Sequence, residues 1–276
     1  MIPGSACFIL IDWFPFLNGP FAQSQRQSAG FLVRNTQCTS PRIPCAAGSW
    51  SHRYLFERNG IMSKLRRGRR RYYDIFASFY DSFIKLHARK DGDDTRHFLV
   101  EAAHLRKKSP RFILDVCCGT GSVTQALARK NPDALLVGYD FSRGMLRKAQ
   151  EKNAAGRVVF VEGDASTMPF SNDSFDIVTC SHALYELRGS SRDMALLEMK
   201  RILNPSGCVL LMEHEVPANS LTRFLFYLRL LCMGSKDARE FMDKETKRLK
   251  KIFPQVDIRH SPSGKSRLTV CRELET

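Results

Sequence analysis

From Pro110 to Arg272 short apolar runs alternate with amphipathic stretches, and that alternation restricts the fold more than any other property of the chain. RFILDV, ALLVGYD, RVVFVEGD, FDIVTC and CVLLME are strand-like, being short and rich in Val, Ile, Leu and Phe. SVTQALARK, SRGMLRKAQEK and RDMALLEMKRIL carry apolar residues at helical spacing; in the first of them Val123, Ala126 and Leu127 are expected to face inward. Continuous apolar strands separated by helices need a sheet covered on both faces, so the pattern predicts a parallel, doubly wound α/β fold. VDIRH and RLTVC, joined through Ser-Gly-Lys, predict a terminal hairpin.

Upstream the pattern differs. Residues 1–61 hold neither helical nor strand periodicity for long, and are expected to form a disordered N-terminal extension to a single domain at 62–276. ACFILIDWFPFL within that segment lacks a basic flank and is interrupted by Asp12 and Pro15, which argues against a secretory signal. Next comes RRGRRR, then YYDIFASFYDSFIKLH, where Ile75, Phe76, Phe79 and Phe83 recur at helical spacing; a second helix is predicted over Asp93 to Lys107.

With 43 Lys and Arg against 28 Asp and Glu the formal charge is +15, favouring anionic partners. RRGRRR is either a solvated arm or a peripheral contact with anionic lipid headgroups. No basic stripe is interleaved with aromatics, so nucleic acid is not the expected partner. The nine cysteines form no C-x-x-C pair, and Cys180, Cys208 and Cys271 sit inside apolar runs, which suits a reducing, cytoplasmic setting. Leu221 to Met233, in SLTRFLFYLRLLCMG, is apolar nearly all round but too short to cross a bilayer.

In a doubly wound sheet, ligands bind at the carboxyl ends of the strands. Those ends are DVCCGTG, GYDFS, EGDA and TCSHALYE. Gly119 and Gly121 allow a tight turn whose amides approach a ligand closely. Asp140 stands where a carboxylate accepts both hydroxyls of a ribose, and Asp164 where one accepts an exocyclic amine. The third glycine of a dinucleotide fingerprint is replaced by Thr124, and a carboxylate at Asp115 would repel a pyrophosphate. A ligand carrying positive charge explains Asp115 better. An NAD-dependent oxidoreductase remains the competing reading, and so does a non-catalytic protein that binds such a ligand.

On these residues the chain resembles the class I S-adenosylmethionine-dependent methyltransferases. The acid followed by G-x-G matches Asp115, Gly119 and Gly121; the ribose acid matches Asp140, the adenine-edge acid Asp164, and the fourth strand FDIVTC. VVFVEGDASTMPFSNDSFDIVTCSHALYE followed by LLEMKRILNPSGCVLLMEHEVP looks most like the ubiquinone and menaquinone C-methyltransferase branch. The resemblance implies a Rossmann-like, seven-stranded, mostly parallel sheet whose last strand is antiparallel, with S-adenosylmethionine as methyl donor. It implies a donor site drawn from Tyr80, Asp115, Cys117, Gly119, Thr120, Gly121, Asp140, Phe141, Met145, Asp164, Ala165 and Ser181. The helix bearing Tyr73 and Tyr80 would cover the donor, and the segment after the fifth strand would cover the acceptor.

His182 is the leading proton acceptor, with Tyr185 and Glu186 close behind it and Glu213 and His214 on the same rim. The acceptor implied is a small molecule, with a prenylated quinone ring or a phospholipid amine as the leading class and a polar metabolite next. Two departures stand out: Cys117 occupies a usual glycine position, and ALYEL replaces the quinone enzymes' Leu-Arg-Asn. Cys117 and Cys118 are neighbours whose side chains should diverge, so no thiol site is expected there.

Overall fold

The computed structural model describes residues 68–75, 77–78, 80, 92–104, 110–154, 156–187, 189–216, 220–221, 223–224, 227, 238–262, 264 and 266–274. The expected extension at 1–61 lies outside the described residues, as does the end of the second predicted helix beyond His104. All described residues fall within one compact unit, Pro44–Thr276.

Each strand forms where an apolar run was found: β1 (Phe112–Val116), β2 (Leu135–Asp140), β3 (Val158–Glu162), β4 (Phe175–Ser181), β5 (Leu203–His214), β6 (Gln255–His260) and β7 (Ser266–Arg272). They make one seven-stranded sheet in the order β3-β2-β1-β4-β5-β7-β6. β1 to β5 are parallel, and β7 runs antiparallel between β5 and β6. The order reverses between β1 and β4, so the crevice of the fold opens above Val116 and Ser181. β5 is longer than CVLLME because it begins directly at the end of a helix, where Leu203 pairs with Phe175.

The helices are α1 (68–75), α2 (Gly92–His104), α3 (Ser122–Lys130), α4 (Arg143–Glu151), α5 (Ser190–Ile202) and α6 (Ala238–Ile252). Ile113, Leu136, Ile177, Leu210 and Val270 pack with Leu99 and Ala103 of α2 and Leu127 of α3 into one core cluster. The alternate strand residues Leu114, Val137, Val178 and Leu211 are equally buried, so the sheet is covered on both faces. In α3 the fully inward positions are Thr124, Leu127 and Ala128, while Val123 and Ala126 lie half-buried at the margin.

Two expectations upstream are corrected. Ile75 is 64% exposed, and the inward side of α1 carries Tyr73 and, just beyond, Ala77. The helix also starts earlier, inside the basic run, and Arg69 and Arg70 form ion pairs with Glu186 and Glu162 instead of lying free in solvent. Phe76, Phe79 and Phe83 of the expected stripe lie outside the described residues.

Candidate active site

β1 leaves the sheet at Val116 and turns at once. Cys117 has φ 56°, Gly119 φ 54° and Gly121 φ 72°, so the loop needs three left-handed residues in five positions. The Cys118 amide donates to Tyr139 O at 3.1 Å and the Gly121 amide to Cys118 O at 2.9 Å, tying the loop to β2 and to itself. The two glycines do different work. A Cβ on Gly121 would lie 2.9 Å from Ala149 Cβ and 3.1 Å from Phe160 Cζ, so this glycine lets α4 and β3 close on the loop. A Cβ on Gly119 would meet nothing within 4 Å. Gly119 is where the backbone faces open space, and only there does the sequence argument about room for a ligand apply.

Asp140, at the end of β2, is buried and holds the loop from the other side. Its Oδ2 accepts from the Gly119 amide at 2.9 Å and its Oδ1 from the Ser142 amide at 2.8 Å. A carboxylate has about four lone-pair sites, so these two bonds leave capacity for a pair of hydroxyls. Burial, opposed by those amides, raises its pKa from 3.8 to about 6. Asp164 lies two residues past β3, where its Oδ1 accepts from the Ser166 amide at 2.9 Å and the Ser166 hydroxyl at 2.7 Å. Gly163 before it has no room for a side chain, since a Cβ would sit 2.0 Å from the Tyr139 hydroxyl, which itself donates to Asp164 O. Of the other expected donor contacts, Thr120, Met145 and Ala165 are buried beneath the surface, and Cys117, Phe141, Ser181 and Tyr80 are half-buried.

Asp115 is tied up internally below the loop. It is 1% exposed, and its carboxylate accepts from Thr124 Oγ1 at 2.6 Å and Thr179 Oγ1 at 2.8 Å. It therefore pins α3 and β4 to β1 from below the loop, and burial raises its pKa to about 6. This explains Thr124: where a dinucleotide fold uses a glycine for close packing, this chain uses a buried hydroxyl.

The thiols diverge as expected. Cys118 faces the β2 side, near Gly138, whereas Cys117 reaches the β4 side and shares a hydrogen bond with Cys180. Burial pushes the Cys118 thiol well up, and burial together with the Cys117 bond does the same for Cys180, so neither is a ready thiolate. Among the described residues no group of His, Cys, Asp and Glu is arranged to hold a metal. Cys117 is a non-glycine residue at positive φ, and its substitutions should separate by backbone cost. Cys117→Gly is expected to keep wild-type stability within about 1 kcal/mol, and Cys117→Val to fall about 2 kcal/mol below it, because a branched Cβ tolerates the left-handed region worst. Equal urea midpoints for the two would count against this.

Across the crevice, His182 follows β4 with φ 51°, and its amide donates to Met212 O at 2.7 Å. Its ring stacks on His214, which ends β5, with centroids 4.2 Å apart and planes at 28°. Tyr185, on the 3₁₀ turn Leu184–Glu186, lies 6.2 Å from the His214 ring. Burial raises the Tyr185 pKa well above its ordinary value, with nearby Glu186 and Glu213 adding to the effect. Tyr185 therefore stays protonated and can donate a hydrogen bond, but it is no base.

α1 bridges the segments that follow β2 and β4. Tyr73 packs edge-on against Phe141 with centroids 5.7 Å apart, and its hydroxyl bonds Glu186. Asp74 Oδ1 accepts from Ser142 Oγ and from the Gly144 amide, each at 2.7 Å, capping the start of α4. Gly144 permits that approach, since a Cβ there would lie 2.6 Å from Asp74 Cα. Asp74, Arg69 and Gly144 were not legible in the sequence, because the partners are some seventy positions or more apart and each is unremarkable where it stands.

Residues 113–207 match the family model described as methyltransferase domain. The chain is 36% identical over 124 residues to a demethylmenaquinone methyltransferase of Lactobacillus johnsonii, an overlap covering 43% of this chain and 50% of that protein. It is 34% identical over 160 residues to the demethylmenaquinone methyltransferase of Staphylococcus aureus, covering 52% and 66%. The chain thus spans between half and two thirds of the length of these curated relatives. Among solved structures, a candidate S-adenosyl-L-methionine-dependent methyltransferase of Methanococcus maripaludis superposes with TM-score 0.54 at 16% identity, covering 74% of this chain and 94% of that one, a likeness of fold. Residues 113–207 are thus a methyltransferase domain, and in strand order, in the turn after β1 and in these matches the chain is similar to the class I S-adenosylmethionine-dependent methyltransferases, demethylmenaquinone methyltransferases among them.

Proposed function

We propose that this protein transfers a methyl group from S-adenosylmethionine to a planar, lipophilic small molecule, with a quinol-type ring as the leading acceptor. The observation that carries the reading is the pairing of an open, glycine-lined turn at Gly119 with the buried carboxylate of Asp140, across the crevice from a stacked His182–His214 wall.

The residues present fit the donor. In this reading Gly119 gives its backbone close access, Asp140 has lone pairs for two ribose hydroxyls, and Asp164 accepts from a base edge. When bound, the donor supplies a methyl group on a positively charged sulfur. The chain's own part is chiefly to position, which is what an in-line transfer needs. His182, beside the acceptor, takes the proton that the acceptor loses, while Tyr185 donates a hydrogen bond to an acceptor oxygen and so orients it. The flat His182–His214 stack offers a face to an aromatic ring. A phospholipid amine is the lesser reading, since the carboxylate on the same turn, Glu186, is already held by Arg69. The relatives named as demethylmenaquinone methyltransferases also favour a quinol-type ring.

An approach to a membrane surface is part of this proposal, since α1 shows Tyr72 at 51% and Ile75 at 64% exposure beside Arg71, and Leu221 and Phe224 are exposed at 67% and 62%. Among the described residues no helix is long and apolar enough to cross a membrane. A cytoplasmic site of action completes the proposal.

The test is incubation of the full chain with methyl-labelled donor and fractionated lipid, quinone and RNA extracts, followed by mass spectrometry of whatever gains the label. Label in a quinol-type ring, reduced at least roughly 100-fold in His182→Ala, is the expected result. Label in RNA, or transfer indifferent to His182→Ala, would overturn the acceptor or the base respectively.

A further inference from the structure

Leu184 opens the 3₁₀ turn that carries Tyr185 and Glu186, and its peptide groups are gripped by ionisable side chains from two sides. Its amide donates to Glu213 Oε1 at 3.0 Å, and its carbonyl accepts from Arg192 Nε at 3.0 Å. Glu213 is 2% exposed and Arg192 4%; beside them Glu245, also 2% exposed, pairs with Arg267. Burial pushes both carboxyls up, Glu213 well above its ordinary value, and such a cluster of ionisable side chains seldom stabilises a fold more than apolar packing would, because desolvation consumes most of the attraction. Their evident product here is a fixed position for one peptide unit.

That position propagates. Two residues on, Glu186 receives the Arg69 guanidinium on both its carboxylate and its carbonyl oxygen, and it also bonds Tyr73. Both partners belong to α1, whose Asp74 is in turn bound to the start of α4. A continuous series of hydrogen bonds therefore runs from β5 and α5, through the turn, to α1.

We propose that Glu213 and Arg192 are positioning residues: by holding Leu184 they set the closure of α1 over the site and the placing of Tyr185 within it. Both are buried, and in the reading above the chemistry remains with His182 and Tyr185. The part of this that concerns ligand release rests on the donor reading above; the docking of α1 rests on the contacts alone.

The experiment is hydrogen exchange on the full chain, read at amides 68–75 and 184–186, together with the dissociation rate of S-adenosylhomocysteine. Arg69→Ala and Glu213→Ala are expected to speed exchange in 68–75 about tenfold and ligand release by a similar factor, with β1 and β4 amides unchanged. Glu213→Gln should restore wild-type behaviour, because its amide oxygen still accepts from Leu184. Should Glu213→Ala not fold, Arg192→Met, which removes the donor but keeps the length, is read in the same way. Wild-type exchange at 68–75 in Glu213→Ala or Arg192→Met, or a Glu213→Gln no better than Glu213→Ala, overturns the proposal. A wild-type protein that does not bind S-adenosylhomocysteine sinks the donor reading, while the exchange data still decide the positioning role.

Discussion

Replacing Asp140 by alanine is expected to weaken S-adenosylhomocysteine binding by at least roughly 100-fold, as measured by calorimetry. Two hydroxyl bonds to an ionised carboxylate are worth about 1.5 to 3 kcal/mol each, and each 1.4 kcal/mol is tenfold. The loss is not confined to the ligand, because the Gly119 and Ser142 amides also lose their acceptor and the turn after β1 loosens. Asp140→Asn, which keeps one acceptor oxygen, should fall between the two. Unchanged affinity in Asp140→Ala would remove this residue from the site. The same group sets a pH dependence. With its pKa raised from 3.8 to about 6, Asp140 is mostly ionised at neutral pH, and binding should weaken up to tenfold per unit as pH falls below about 6. The sign for the free protein is opposite. A carboxyl whose folded pKa lies above the unfolded one adds stability below about 4 that is lost as pH rises through about 6, and Asp115 behaves alike. Ligand affinity that is flat from pH 7 to 5 would contradict this assignment.

Gly121→Val should be the most damaging single substitution in the turn, with an expected loss of about 4 kcal/mol, a large share of the 5 to 15 kcal/mol typical of a whole domain. Two costs combine. At φ 72° a branched side chain is in the region it tolerates worst, and its Cβ would press on Ala149 at 2.9 Å and Phe160 at 3.1 Å. Neither neighbour can retreat easily, since Ala149 is fully buried in α4 and Phe160 also crowds Gly138. Gly119→Ala offers the contrast: its Cβ meets nothing, so only the backbone cost of about 1 kcal/mol applies to folding, while ligand affinity should fall much further. Urea unfolding of both variants, with and without S-adenosylhomocysteine, separates a packing glycine from a ligand glycine. Equal stabilities would show that the two positions are not distinguished in this way.

The two glycines also mark how far the residues alone could be followed. G-x-G after an apolar run announced a left-handed turn at a strand end, and both glycines were assigned to a ligand on one argument. The turn is local, so sequence suffices for it. What fills the space beyond each glycine is decided by α4 and β3, which arrive from elsewhere in the chain. Asp115 follows the same rule: its charge was legible, but Thr124 and Thr179 come from α3 and β4, and the internal tie they make with it was not.

The alternation of apolar and amphipathic segments, the terminal hairpin and the polar residues closing each strand were enough to set out the doubly wound sheet and the strand ends above which its crevice opens. Those properties depend on periodicity and on strand ends, which are written in neighbouring residues. The docking of α1 through Asp74 and Arg69, the stacking of His182 on His214 and the hold of Glu213 and Arg192 on Leu184 were not written there. Each depends on side chains brought together from separate elements, and a hydrogen bond of 3 Å between distant positions leaves no trace in the spacing of either partner.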